Sequence, residues 1–128
     1  LIGAIAGVIL AHTMFALSPV TLSLTDRSGV AKMISEGVAT FGLVGVILSC
    51  TAHRKEAIPY AVAAYIGAGY WFTASTSFAN PAVTVARTLT ATFSGIRWLD
   101  APNFILAQLV GALAAALLFG WLFPRGSR

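Results

Sequence analysis

The sequence predicts an all-α membrane protein, and three observations predict it. Of its 128 residues, 58% are hydrophobic and only 9% charged, with a mean hydropathy of +0.86, against roughly 25% charged residues in a soluble domain. The charges divide the chain into four neutral blocks, residues 1–25, 37–53, 57–86 and 101–124. Each is near or above the ~18–20 residues that cross ~30 Å of hydrocarbon as a helix. Residues 1–10 also align with residues 109–118 at five of ten positions, 108 residues further on. Both copies carry small residues four apart, Gly3 with Gly7 and Gly111 with Ala115, a spacing that lets helix backbones approach closely in lipid. Three crossings and a re-entrant segment between the copies would make this an inverted repeat with its site near the midplane. The alternative is that apolar helices of Gly, Ala and Leu align easily.

The first helix runs to about Leu17, because the residue before Pro19 disfavours the helical region. A polar connection follows through Thr25, Asp26, Arg27, Ser28 and Gly29. The second helix covers about 31–51 and stops at the loop His53, Arg54, Lys55, Glu56; the third covers about 58–73. The last covers about 102–123, with Asp100 and Pro102 placed for a helix start and Pro124 for its end. Arg54 and Lys55 share a side with Arg125 and Arg128 if the chain crosses twice between them, and the positive-inside tendency makes that side cytoplasmic. The chain opens on Leu1, Ile2 and Gly3 inside an apolar pattern, which reads as part of a longer protein, and it lacks the basic start of a signal peptide.

The thirty uncharged residues 57–86 are too long for one comfortable crossing and too short for two. Their surplus is read as a re-entrant segment: residues 74–79 descend, a helix starts at mid-depth at Asn80 and Pro81, and it leaves by the side it entered. A helix over 81–93 would be about 20 Å long, roughly two thirds of the hydrocarbon thickness. Asn80 suits an N-cap and Pro81 a first helical position, where the missing N–H costs nothing. Non-helical backbone at that depth survives only inside protein or along a watery cavity. Such a break repels cations and protons, while an asparagine amide not consumed in capping can donate to a passing hydroxyl or water.

The net charge of +4 and pI of 9.9 do not indicate nucleic acid, since the basic residues are scattered and interleave no aromatic platform. Cys50, the only cysteine, excludes an internal disulfide, and His12 and His53 lack partners at metal-ligand spacing. Neither a metal nor a cofactor is expected. No Ser-His, Cys-His or paired-carboxylate arrangement supports an enzyme.

Asn80-Pro81-Ala82 before a short helix, a preceding helix with Gly67 and Gly69, and the following run from Phe104 through Gln108 to Ala112 resemble the second half of the aquaporin and aquaglyceroporin family. The similarity covers nearly the whole chain. It implies an aquaporin-like inverted-repeat bundle, with residues 1–17 as the end of the third membrane helix and the rest as the fourth to sixth. Residues 1–128 would then be part of a single transmembrane domain whose first two helices and first half-helix lie upstream. In that family two half-helices meet at mid-membrane, and their asparagines donate to single-file water or glycerol. A homotetramer in the bacterial inner membrane is implied in the same way.

The resemblance also assigns roles to single residues. Val83 stands where the family usually places the arginine of its narrowest constriction, which makes that ring less polar and wider. Ser77 matches another lining position, or is a loop residue bonding its own backbone. The contribution of the preceding helix falls near Ala68. Arg87, four residues after Val83 and about 6 Å further along the same face, either supplies a donor to the outer vestibule or snorkels to the headgroups or pairs with a loop. Glu36 matches a family glutamate that accepts hydrogen bonds from the re-entrant loop, the alternative being an interfacial carboxylate. The expected function is a passive channel for water and small uncharged solutes, glycerol-like polyols or neutral metalloid acids such as arsenite. A secondary transporter with a broken-helix site is the alternative.

Overall fold

A computed structural model describes residues 1–123; Pro124, Arg125 and Arg128, invoked above for the helix stop and the topology, lie outside the described residues. Five α-helices follow in order: α1 (Ile2–Met14), α2 (Val30–His53), α3 (Ile58–Phe72), α4 (Pro81–Arg87) and α5 (Ala101–Leu122), with a 3-10 turn at Lys55–Ala57. No strand occurs among the described residues. Two helices, α2 with 24 residues and α5 with 22, are long and apolar enough to span a bilayer. Leu109, Leu113 and Leu117 on α5 stay exposed, the surface expected of a helix whose solvent is lipid. α2, α3 and α5 lie within two residues of their predicted bounds at each end.

α1 stops three residues early. Ala16 adopts the left-handed conformation (φ 54°), its N–H donates to Thr13 O (3.2 Å) and that of Leu17 donates to His12 O (2.8 Å). These two bonds make a Schellman C-cap, usually built on glycine. Its satisfied carbonyls, rather than Pro19, end the helix.

α4 is the larger correction. It ends at Arg87 instead of about Phe93, seven residues or about 10 Å. The carbonyls that would have continued it go elsewhere: Arg87 O accepts from Ile96 N–H (3.2 Å), Thr88 O from Ser23 N–H (2.9 Å) and Leu89 O from Thr21 N–H (3.1 Å). The α1–α2 connection thus pairs with the end of the half-helix and stops it. Asp100 differs in detail too: it makes no side-chain cap to α5, and its carboxylate instead accepts from Arg27 N–H (2.8 Å) and Arg97 Nε–H (2.8 Å).

The helices meet around α2 and α5. A Cβ added at Gly111 would strike the carbonyl oxygen of Gly37 and come within 3.1 Å of its Cα, so the two backbones cross in near contact. Gly3 and Gly7, the other half of the repeat, have open space around them. Phe78, Ile96 and Phe104 form the apolar cluster between this crossing and the re-entrant loop, with the Phe78 and Phe104 rings edge to face at 5.4 Å.

Candidate functional site

Residues 73–80 between α3 and α4 are non-helical, and three of them, Thr76 (φ 66°), Ser77 (φ 51°) and Ala79 (φ 47°), lie in the left-handed region. Side chains with a Cβ rarely occupy it, and each instance costs about 1–3 kcal/mol unless the surroundings over-determine it. The surroundings here are polar and buried. Glu36 on α2 is 0% exposed; its Oε1 accepts from Phe78 N–H (2.8 Å) and its Oε2 from Ala79 N–H (2.9 Å). Gln108 on α5 donates through Nε2 to the same Oε2 (2.7 Å) and to Thr84 Oγ1 (2.8 Å). Thr84 in turn donates to Asn80 O (3.0 Å). One network therefore links α2, α5, the loop and the start of α4.

From the opposite side Arg27, 6% exposed, spends its whole guanidinium on the loops. Nε donates to Gly95 O (2.7 Å), Nη1 to Ser75 O (3.0 Å) and Nη2 to Phe93 O (3.0 Å), and the group lies 5.0 Å from the Phe78 ring centroid. Burial lowers its pKa from the ordinary arginine value. Its neighbours form a rim of ion pairs, Arg97 with Asp26 (3.1 Å) and with Asp100 (2.8 Å). The Ser28 hydroxyl and backbone N–H, aided by Arg97, hold the exposed Asp26 below the usual carboxylate range, and the hydrogen bond to Asp100 raises Arg97.

Asn80 is the N-cap of α4 in extended conformation, its Oδ1 accepting from Ala82 N–H (2.8 Å) and Val83 N–H (3.3 Å), with Pro81 opening the helix. Since the oxygen is turned to the helix, the amide nitrogen is the end turned away from it. Val83 and Arg87 line one cavity of about 670 Å³ with α1, Thr90, Thr92 and Ser94. Arg87 stacks 4.2 Å from the Phe78 ring centroid, and its Nη1 is buried with no hydrogen-bond partner. No carboxylate pairs with it among the described residues.

The other two proposed lining residues are not brought to this cavity. Ser77 is buried with an unpartnered Oγ, and it is Ser75, not Ser77, whose hydroxyl serves the loop, accepting from Ser77 N–H (3.2 Å). Ala68 is exposed on α3; its neighbour Gly69 packs on Ser77, where an added Cβ would lie 2.8 Å from Oγ. Sequence reasoning missed Arg27 and Gln108. Gln108 had a signal, an amide inside the long apolar run of α5. Arg27 had none, since a loop arginine between Asp26 and Ser28 looks like any solvated charge.

The family model described as Major intrinsic protein matches residues 55–128. The chain is 57% identical over 120 residues to the aquaglyceroporin AqpS of Rhizobium meliloti (strain 1021), covering 94% of this chain and 52% of that protein. Two aquaporins of Laccaria bicolor are 33% and 34% identical over 102 and 97 residues, covering 72% and 74% of this chain and 38% and 35% of theirs. The chain thus spans about half the length, or less, of these curated relatives. No solved structure matches at comparable significance. With more than half of its residues under the family model and two helices fit to span a bilayer, the chain is an integral membrane segment that belongs to the major intrinsic protein family.

Proposed function

We propose that this chain is the second half of a passive channel for water and small uncharged solutes. The observation that carries the reading is the capped start of α4, tied to the two long apolar helices by the Glu36–Gln108–Thr84 network, with Val83 and Arg87 on a cavity. That the relative from Rhizobium meliloti bears the name aquaglyceroporin supports polyols as solutes; neutral metalloid acids fit the same uncharged class. Asn80 donates to the passing oxygen, Pro81 and Ala82 start the half-helix, and Val83 makes an apolar, wide filter wall. Arg87 supplies the positive donor that Val83 lacks. Sequence outside this segment contributes the first half-helix, and the assembly is a homotetramer in a bacterial inner membrane.

Val83→Arg tests the filter. In liposomes containing the full-length protein that carries this segment, light scattering after an osmotic step should show glycerol entry falling roughly tenfold while water entry persists, about 1.4 kcal/mol of added barrier. Arg87→Ala should raise cation leak. Unchanged glycerol entry in the first variant overturns the filter assignment; unchanged cation exclusion in the second removes Arg87 from the pore.

A further inference from the structure

His12 is 3% exposed at the end of α1, and its hydrogen bonds fix the direction of a chain of hydroxyls. Nδ1 lies 2.7 Å from Ser18 O and 3.1 Å from Pro19 O. Carbonyl oxygens only accept, so Nδ1 carries a proton; taken as neutral, the imidazole then accepts at Nε2. Its partner at 2.8 Å is the Thr90 hydroxyl, which donates its single proton there. The Thr90–Thr92 contact of 3.0 Å is therefore donated by Thr92. By the same count the Thr92–Ser94 contact of 3.2 Å is donated by Ser94. Every hydroxyl proton in the row points back toward His12, and what remains is lone pairs: one each on Thr90 and Thr92, two on Ser94.

Thr90, Thr92 and Ser94 line the same cavity as Val83 and Arg87. The wall thus shows acceptors from the hydroxyl row and the positive guanidinium of Arg87, which lines the same cavity. A cation is attracted by the lone pairs but repelled by the guanidinium, while an oxyanion is attracted by the guanidinium but meets only lone pairs along the row. A neutral solute whose hydroxyls both donate and accept satisfies both sides, and the apolar α1 wall of Ala4, Val8 and Ala11 accommodates its carbon side.

We propose that Thr90, Thr92 and Ser94, oriented by His12, form an acceptor ladder that selects uncharged polyhydroxy solutes beside Val83. This rests on the channel reading above and names the solute contacts within it.

The test uses the full-length protein that carries this segment, in liposomes, with glycerol as the probe and water as the internal control. The double variant Thr92→Val, Ser94→Ala keeps the side-chain shapes nearly intact and halves the free lone pairs, from four to the two on Thr90, which no longer accepts from Thr92. Glycerol permeability should fall about fivefold while water permeability changes less than twofold, the effect of losing one or two hydrogen bonds. His12→Leu frees the row to rotate and should lower glycerol permeability about twofold with water again unaffected. A glycerol-to-water ratio equal to wild type in all variants overturns the ladder and leaves the channel standing. If the double variant passes no water, Ser94→Ala, which deletes one half-buried oxygen, decides by the same ratio. A wild type that passes neither probe above bare lipid overturns the channel reading, and the ladder with it.

Discussion

Glu36→Gln should abolish solute flux and cost roughly 1–3 kcal/mol of stability for each buried donor it leaves unpaired. The carboxylate accepts from Phe78 N–H, Ala79 N–H and Gln108 Nε2 at 2.7–2.9 Å. An amide offers one oxygen and one NH2. If the oxygen takes the place of Oε2, Phe78 N–H faces another donor; if it takes the place of Oε1, Ala79 N–H and Gln108 both do. A buried unpaired donor costs about 1–3 kcal/mol, and the same bonds hold Thr76, Ser77 and Ala79 in left-handed conformations that relax once released. Loss of the network also uncouples Thr84, whose hydroxyl donates to Asn80 O. Thermal unfolding in detergent and flux in liposomes are the readouts. Wild-type flux from Glu36→Gln would mean that the carboxylate does not hold the loop.

The second large effect lies at the helix crossing. Gly111→Ala should destabilise by about 1–3 kcal/mol, near the upper end of the overpacking range. The new Cβ meets backbone atoms of Gly37, which no rotamer change can move aside. Gly120→Ala on the same helix is the control, because its added Cβ meets nothing within 4 Å; helix propensity alone predicts a gain of about 0.5–1 kcal/mol. Opposite signs in thermal unfolding establish close backbone approach as the cause. Equal shifts would mean that α2 and α5 can separate at little cost.

How far the sequence carries depends on how local the determinant is. α2, α5 and the start of α3 were legible because an apolar block edged by charges or proline specifies its own limits. The end of α1 was not, since an alanine at the left-handed C-cap leaves no trace in composition. The length of α4 was misread for a non-local reason: Thr21, Ser23 and Ile96 donate to the carbonyls of residues 87–89, pairings that no local pattern announces. At the site, Asn80 and Pro81 stand out because cap chemistry is local. The roles given to Val83, Ser77, Ala68 and Glu36 came from resemblance, and of the three lining residues only Val83 lies on the cavity with Arg87. Arg27 was invisible because its value lies in three carbonyls, those of Ser75, Phe93 and Gly95, between 48 and 68 residues away.

The central claim is passive conduction of neutral solutes, and initial glycerol flux as a function of gradient tests it most directly. The full-length protein that carries this segment, in liposomes, should give a flux that rises linearly with the glycerol gradient and ignores ionophores that collapse proton and sodium gradients. Flux that saturates and vanishes when those gradients collapse would contradict the account and assign the Asn80 break to a coupled transporter.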